Sequence, residues 1–476
     1  MNINPKQMKF SIRKISMLVA IATLPVSLRA QEIPIYRDAS KPIEERIDDA
    51  LSRMTLEEKV GLLHADRSYG SAGVPRLGIP ENNLSDGPSG LRPEMVWQTW
   101  IHAGMSSDSC TAFPALVCLA ATWNPEMGHL FGKSLGEEAL YRDKNMLLGP
   151  AVNIFRTPMN GRNFEYMGED PYLTSKMAVS YIKGVQENHV SACVKHFAVN
   201  NQETKRTTIN TIVDERTLHE IYFPAFKAAV QEAGVWAVMG AYNKFNSQYC
   251  CHNSYLLNDV LRGEWGFDGV VVSDFGGTHD TQEAIDNGLD MEFGTDLGSL
   301  EAFQNYRLGK PYLKLLKQNE TSEKVLNEKV RRVLRMMYRT NMSEGRPWGT
   351  LASEEHAMAA RKIAEEGIVL LKNNNKILPV NIGSLNRILV VGENAVKMMS
   401  RDGGSSEAKS KYEVVPLEGI RKYVADRIEV DYQPGYSSTA SKSVNDSLHT
   451  EAVKAAKGAD IVLYICLLYT SPSPRD

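Results

Sequence analysis

The sequence predicts an α/β protein in which an N-terminal (β/α) TIM-like barrel is followed by an incomplete α/β sandwich domain. Two observations predict this fold class. The chain has 476 residues, which is more than one hydrophobic core usually accommodates. Short apolar runs also alternate along it with helical patterns, and this order is typical of a parallel sheet.

The barrel is predicted to span residues 36–340. Its strands are expected at four apolar runs: Met146–Ile154, Val190–Phe197, Val235–Tyr242 and Gly269–Asp274. Its helices are expected at residues 43–64, 172–187, 213–233, 255–263 and 321–340. In the first of them, Thr55 and Glu58 have the spacing of a capping box. Strand and helix repeat over roughly 300 residues, as a (β/α) barrel requires.

The second domain is predicted to follow a loop-rich linker, residues 341–352, and to span residues 353–465. Its strands are expected at Ile368–Lys372, Arg387–Gly392, Arg427–Tyr432 and Ala459–Ile465, with helices at 353–366 and 450–457. Residues 466–476, "CLLYTSPSPRD", follow the last strand where a parallel sheet needs a crossover helix. We therefore expect a non-native tail and a C-terminally truncated domain.

The first thirty residues have the layout of a signal peptide. Basic residues precede an apolar run, Ile15–Leu28, and Ala30 supplies a small residue near the expected cleavage point. The run is too short for a comfortable membrane span. We therefore expect residues 1–30 to direct export to the periplasm or the medium, with no membrane association after cleavage.

Composition narrows the class of partner. The formal net charge is −3, and no basic run is interleaved with aromatics, so a nucleic-acid partner is not expected. The six cysteines lack metal-ligand or CxxC spacing, although a disulfide from Cys110 or Cys118 to the 250–251 pair stays open. His196 and His279 have no evident third ligand, so neither a metal nor a cofactor is predicted.

Polar residues follow or flank the predicted barrel strands, where a purely structural strand would end in a turn. They are Asp86, Arg92, Arg162, Glu165, Lys195, His196, Tyr242 and Asp274. Singly, each has an ordinary structural explanation, such as a turn cap or a satisfied core histidine. The carboxyl ends of barrel strands meet at one face, so together these residues predict one pocket. Cations, carboxylates and an aromatic ring suit a ligand with several hydroxyl groups.

Five ordered motifs resemble glycoside hydrolase family 3 of the β-glucosidase type. They are "SDGPSGLR", "GRNFEYMGEDPYL", "KHFAVNNQE", "MGAYN" and "GVVVSDFGG". Two further stretches, "GIVLLKNNNKILPV" and "DGGSS", resemble the second domain of that family. The resemblance covers residues 36–465. It implies an exo-acting retaining β-glycosidase, a β-glucosidase that hydrolyses terminal non-reducing β-D-glucosyl residues.

The resemblance also implies residue roles. Asp274 matches the nucleophile that forms a covalent glycosyl-enzyme. The residues that match sugar-binding positions are Asp86, Arg92, Arg162, Lys195, His196, Arg206, Tyr242 and Ser405. Glu203 is expected to orient Lys195 or Arg206. Nearby Lys195, Arg162 and His196 are expected to lower the pKa of Asp274.

Two departures and one gap qualify the resemblance. Phe275 stands where the family usually has Trp, and Asp402 stands in a usual glycine triplet. The family places its acid/base Glu after a strand like "ADIVLYI", and no counterpart follows here before Asp476. The alternatives are therefore a β-xylosidase or arabinofuranosidase of the same family, or a catalytically impaired β-glucoside-binding protein. A nucleotide-binding α/β protein is disfavoured because no strand is followed by GxGxxG.

Overall fold

The structure is a computed structural model that describes residues 33–294, 300–400 and 404–466. The predicted signal peptide, Asp402 and residues 467–476 lie outside the described residues. The strands are β1 Ala65–Arg67, β2 Gly70–Ser71, β3 Asn82–Asp86, β4 Met146–Leu148, β5 Ser191–Phe197, β6 Asn210–Thr211, β7 Ala237–Gly240, β8 Lys244–Phe245, β9 Gln248–Tyr249, β10 Val270–Val272, β11 Arg387–Val391, β12 Glu429–Gln433 and β13 Ile461–Tyr464.

The α-helices alternate with these strands. They are α1 Ile43–Arg53, α2 Leu56–Gly61, α3 Leu116–Ala121, α4 Pro125–Tyr141, α5 Pro171–Gln186, α6 Glu215–Thr217, α7 Pro224–Gln231, α8 Thr281–Asp286, α9 Leu300–Gln304, α10 Lys310–Lys317, α11 Glu323–Arg339, α12 Glu354–Gly367, α13 Pro416–Val424 and α14 Lys442–Ala456. Two π-helical stretches, Leu218–Tyr222 and Tyr255–Glu264, complete the helical layer around the barrel.

The first sheet is a barrel wall of seven strands in the order β1-β2-β3-β4-β5-β7-β10. Its members from β3 to β10 are parallel, whereas β1 and β2 run antiparallel to their neighbours. Residues 290–293 bring the two edges together. The Ser273 N–H donates to the Met291 carbonyl, and the Ala65 N–H donates to the Glu292 carbonyl, both at 2.9 Å. The sheet therefore curls round, and the predicted barrel is confirmed.

The barrel strands are buried on both faces, as parallel strands are when helices cover one face and a packed interior fills the other. All seven residues of β5 and all three of β10 are buried. Outside, α4 packs on α5 at very close range. A Cβ at Gly132 would lie 2.1 Å from the Tyr181 carbonyl oxygen, so only glycine fits this crossing.

Several helix boundaries differ from the prediction for local reasons. The helix expected at 43–64 is two helices, because the chain becomes extended at Met54 and Thr55 starts α2 with a capping box. The helix expected at 213–233 is interrupted by a π-helical turn, and α7 restarts at Pro224. The capping box itself is confirmed.

The Thr55 cap allows a direct test of local stability. We expect Thr55→Ala to lower the free energy of unfolding by about 1 kcal/mol, because the Glu58 N–H loses its side-chain acceptor. Chemical denaturation would measure this loss. Ser52→Ala on the preceding helix removes an exposed hydroxyl without a capping role and serves as the control. Equal stabilities for the two variants would contradict the prediction.

The second sheet has three parallel strands in the order β12-β11-β13. The predicted strand Ile368–Lys372 is wrong, because these residues form no ladder in the described chain and lie exposed, with Leu371 91% exposed. The segment 404–411, which we call the strap, crosses to the barrel. It pairs with Cys110, whose N–H donates to the Lys409 carbonyl at 2.8 Å and whose carbonyl accepts from the Lys411 N–H at 3.0 Å.

All six cysteines are free thiols, so the disulfide left open by the sequence does not form in this structure. Burial raises the pKa of the Cys110 thiol to about 12 and keeps it protonated. Among the described residues, no helix is both long enough and apolar enough to cross a membrane.

Candidate active site

The candidate site lies at the carboxyl ends of the parallel barrel strands. Asp86 is the last residue of β3, and Lys195 and His196 lie near the end of β5. Tyr242 and Asp274 each come two residues after the strands β7 and β10. Because these ends meet at one face of the barrel, the structure brings the predicted residues together.

Asp274 is the most exceptional side chain of the site. It is 6% exposed, and its Oδ1 accepts the Phe275 N–H at 2.8 Å. Its Oδ2 makes no well-formed hydrogen bond and lies 3.9 Å from Arg162 Nη1 and 3.7 Å from His196 Nε2, and the Tyr242 hydroxyl also interacts with the Asp274 carboxylate. A buried carboxylate oxygen without a hydrogen bond is costly, so its presence here points to a chemical role.

The expected lowering of the Asp274 pKa is wrong in its net direction. Burial raises this pKa above the ordinary value because the carboxylate loses its hydration. Arg162, Arg206 and Lys195 do act in the expected direction, and so does the Phe275 N–H, but loss of hydration outweighs them. The carboxylate is therefore a stronger base than an exposed aspartate.

His196 acts as a neutral ring rather than as a cation. Arg162 Nη2 lies 2.8 Å from His196 Nε2, and a guanidinium can only donate. His196 Nε2 must therefore accept, which places the ring proton on Nδ1, 3.5 Å from the Tyr166 hydroxyl. Asn153 fixes the backbone of His196 through two hydrogen bonds of 2.8 and 3.0 Å.

Arg162 connects the barrel to the second domain through Glu165. The Glu165 side chain is fully buried, and its Oε1 accepts from Arg162 Nε. Its Oε2 accepts from the Ser405 hydroxyl at 2.7 Å, so Ser405 of the strap reaches the site. Arg162 Nη1, which faces Asp274, has no hydrogen-bond partner.

Lys195 is held by Asp86. Its Nζ donates to Asp86 Oδ1 at 3.0 Å and lies 3.8 Å from Glu165 Oε2. The Tyr69 hydroxyl donates to the other oxygen of Asp86 at 3.4 Å. The Asp86 carboxylate therefore joins a cation and a phenol at the end of β3.

Arg206, Glu203 and Tyr242 form the opposite wall. Arg206 Nη1 donates to Glu203 Oε2 at 2.9 Å, so the structure pairs Glu203 with Arg206 and not with Lys195. The Arg206 guanidinium lies 4.4 Å from the centre of the Tyr242 ring. Burial and the neighbouring Asp274 carboxylate raise the pKa of Tyr242, which keeps its hydroxyl protonated.

Arg92 meets the strap directly. Its Nη1 donates to the Gly404 carbonyl at 2.7 Å, and its Nη2 lies 3.5 Å from Glu407 Oε2. Its Nε is buried without a partner. Arg92 therefore contributes to the contact between domains as well as to the wall of the site.

Aromatic rings line the floor beside Asp274. The Phe275 ring centre lies 5.3 Å from that of Tyr69 and 5.7 Å from that of Trp100. Sequence reasoning missed Tyr69 and Trp100, because both come from loops that carry no periodic pattern. The run "VWQTW" at 96–100, with two tryptophans in a loop, was the available signal.

No group of three or more His, Cys, Asp and Glu side chains within residues 33–294, 300–400 and 404–466 is arranged to hold a metal ion. The charged side chains of the site instead pair with each other, carboxylate to cation. Such an arrangement can bind and orient hydroxyl groups and can place one unpaired carboxylate against a bound carbon atom.

The fold and the site define a (β/α) barrel with a carboxylate-centred pocket that a second domain completes. Residues 94–336 match the profile described as "Glycosyl hydrolase family 3 N terminal domain". Residues 368–471 match "Glycosyl hydrolase family 3 C-terminal domain". The chain therefore belongs to glycosyl hydrolase family 3, as the motifs indicated.

Three relatives illustrate the similarity. Beta-glucosidase BoGH3A of Bacteroides ovatus is 48% identical over 454 residues, which cover 91% of this chain and 60% of that protein. An exo-alpha-(1->6)-L-arabinopyranosidase of Bifidobacterium longum is 34% identical, with 86% and 53% covered. The structure of beta-glucosidase 3B from Thermotoga neapolitana in complex with glucose superposes with a TM-score of 0.76 at 32% identity, with 90% and 63% covered. The chain thus spans little more than half the length of these relatives.

Proposed function

We propose that this chain carries the nucleophile and the sugar site of a retaining β-glucosidase that removes terminal non-reducing β-D-glucosyl residues. The observation that carries the proposal is the unpartnered Asp274 Oδ2, buried among Arg162, His196 and Tyr242. The family membership and the printed names of the relatives support this choice of reaction and sugar.

In the proposed first step, Asp274 Oδ2 attacks the anomeric carbon and forms an ester bond to the sugar. The bond from that carbon to the leaving oxygen breaks, and the leaving group departs with the electron pair. Water then attacks the same carbon from the vacated side, the ester bond breaks, and Asp274 recovers its carboxylate. Two inversions give net retention, and the water proton is released.

The sugar is proposed to be held by the polar side chains around Asp274. Asp86 and Lys195 suit adjacent hydroxyls, because a carboxylate accepts and an ammonium donates. The Phe275 ring supplies an apolar surface for the face of the sugar. The unpaired Arg162 Nη1 is available to the oxygen nearest Asp274.

The general acid for the leaving group is proposed to lie outside the carboxylates of this pocket. Asp86, Glu165 and Glu203 each pair with a lysine or arginine, so their oxygens are engaged with cations of the site rather than directed at a leaving group. We therefore expect this chain to prefer activated aryl glycosides, whose leaving groups need no proton. Alkyl glycosides and oligosaccharides should react slower by roughly 10²–10⁴-fold relative to an enzyme with a general acid.

The decisive experiment is covalent trapping. The chain is incubated with 2,4-dinitrophenyl 2-deoxy-2-fluoro-β-D-glucoside, which forms the ester and hydrolyses slowly. Peptide mass spectrometry should place one fluoroglucosyl group on Asp274. Asp274→Asn is the control and should stay unlabelled. A label on another residue, or no label, would overturn the proposal.

The second candidate function is that of a pentopyranosidase, an enzyme that removes a five-carbon pyranose sugar. The similarity to the arabinopyranosidase favours this candidate. The corresponding activated fluoroxyloside, which lacks the C6 hydroxyl, separates the two. Faster labelling by the glucoside supports the glucosidase proposal. Faster labelling by the xyloside supports the pentosidase. Saturable sugar binding with no label from either supports a binding protein.

Arg206 is expected to influence the pH range in which Asp274 reacts. Its positive charge opposes the rise in the Asp274 pKa, so Arg206→Met should raise that pKa further. The acid limb of the labelling rate then moves to higher pH. The control is Arg216→Met, which removes an exposed cation that pairs with Glu220. An acid limb that stays in place, or moves to lower pH, would contradict the prediction.

A further inference from the structure

We infer that Glu165 is a positioning residue for the sugar site: its buried carboxylate holds Arg162 of the barrel and Ser405 of the strap in the orientation in which both meet a bound sugar. The inference rests on the proposed function. Glu165 itself faces neither solvent nor an open part of the pocket, because its side chain is fully buried. It therefore acts through its partners.

Glu165 sets which atoms of its two partners can donate and which can accept. Glu165 Oε2 takes the only proton of the Ser405 hydroxyl, at 2.7 Å. Ser405 then presents lone pairs to the pocket, so a sugar hydroxyl must donate to it. Glu165 Oε1 takes the Arg162 Nε proton, which leaves Arg162 Nη1 as the donor that faces Asp274. One carboxylate thus fixes the polarity of two contacts.

Glu165 also joins two segments that are distant along the chain. Glu165 and Ser405 are 240 residues apart and belong to different domains. Glu165 sits in a short helical turn, Asn163–Glu165, of the barrel, whereas Ser405 sits in the strap. This hydrogen bond brings the strap to the pocket at the level of Arg162. The strap has other anchors, at Cys110 and at Arg92, but neither of them contacts the Ser405 side chain.

Glu165 also contributes to the charge balance of the pocket around Asp274. Its paired charges and the nucleophile are Arg162, Lys195, Arg206, Asp86, Glu165, Glu203 and Asp274. Three cations thus face four carboxylates, and an ester at Asp274 removes one negative charge. Glu165→Gln removes a negative charge before the reaction, so the ionised form of Asp274 is less disfavoured. The acid limb of the labelling rate should therefore move to lower pH.

The variant Glu165→Gln keeps the volume but reverses part of the polarity, because its amide donates where the carboxylate accepted. We expect it to weaken D-glucose binding about tenfold, the scale of a lost charge-assisted hydrogen bond. Ser405→Ala should weaken binding about fivefold in the parent chain and by less in the Glu165→Gln background. Such non-additivity is the signature of residues that act through each other.

The test measures D-glucose affinity by calorimetry and the labelling rate with the fluoroglucoside across pH, for the parent, both single variants and the double variant. Asp290→Asn is the matched control. Asp290 is a fully buried carboxylate held by Arg262 and Arg332 outside the pocket, so its loss should lower the melting temperature without changing affinity or the acid limb.

The outcomes separate the inference from the proposed function. A parent chain that neither binds glucose nor takes the label overturns both. A parent that reacts, with a Glu165→Gln variant of equal affinity, unchanged acid limb and additive Ser405 effect, overturns the role of Glu165 alone. Weaker binding, an acid limb at lower pH and non-additivity together support it. A fall in melting temperature without these changes, as for Asp290→Asn, marks Glu165 as structural only.

Discussion

Replacing Asp274 with glycine is expected to lower the rate of aryl release from an activated aryl β-D-glucoside by at least about 10³-fold. The reason is that Asp274 Oδ2 faces Arg162 and His196 without a well-formed hydrogen bond, whereas Asp86, Glu165 and Glu203 each form a closer ion pair with a lysine or arginine. Stopped-time assays of phenolate release measure the loss.

Added azide provides the internal control for this variant. The glycine leaves space where the carboxylate stood, and azide can attack the anomeric carbon from that side. We expect azide to restore part of the rate and to give the α-glucosyl azide, with inverted configuration. Folding is checked by the melting temperature. A variant that keeps nearly the parent rate, or one rescued to the β-azide, would contradict the assignment of Asp274 as nucleophile.

Replacing His356 with alanine is expected to lower the free energy of unfolding by about 3 kcal/mol. His356, on α12, is buried, with Nδ1 2.9 Å from Glu138 Oε1 and Nε2 2.9 Å from Glu137 Oε2. Two carboxylate acceptors require both ring nitrogens to donate, so the ring is an imidazolium. Glu138 is fully buried and also accepts from the Ala352 N–H, so alanine would leave a buried charge without its cation.

The stabilisation by His356 and its two glutamates is also expected to depend on pH. The two carboxylates raise the pKa of His356 above its ordinary value of about 6.5, although burial opposes them. The stabilisation is therefore complete below that ordinary value and disappears as the pH rises through the raised pKa. Chemical denaturation at several pH values should show the parent and His356→Ala converging in alkaline buffer.

The control for His356 is His129→Ala. His129 makes a similar contact with Glu187 at 2.9 Å, but its side chain is 44% exposed, so solvent screens the pair. We expect a loss of no more than about 1 kcal/mol. Equal losses for both histidines, or a His356 effect that does not change with pH, would contradict the prediction. Burial of the imidazolium would then add nothing to the free energy of unfolding.

The barrel and the position of Asp274 at a strand end were predictable from sequence because they depend on local pattern. Val270–Val272 is an apolar run that is followed directly by Ser273 and then Asp274, and parallel strand ends meet at one face. The strand β3 has no such pattern. Asn82 lies buried in it because its side chain hydrogen-bonds to Ser71 and Asn145, partners that lie far away in the sequence.

The other differences between prediction and structure depend on the neighbours that the fold places around a residue, which the local sequence does not specify. Ile368–Lys372 has the composition of a buried strand, but composition does not supply a neighbouring strand. The cations near Asp274 were evident from the motifs, whereas the loss of hydration that outweighs them depends on how deeply the folded chain buries Asp274. The neutral state of His196 likewise follows from one contact with Arg162 that no local pattern encodes.

Under the proposed function, a bound sugar would influence through the strap how the two domains are held together. A sugar that touches both Ser405 and Arg162 binds only when the strap is docked on the barrel. The apparent dissociation constant is then the intrinsic one divided by the docked fraction of the population. By reciprocity, occupancy of the pocket shifts the docking equilibrium, so affinity can be tuned from contacts such as His356 that never meet the ligand.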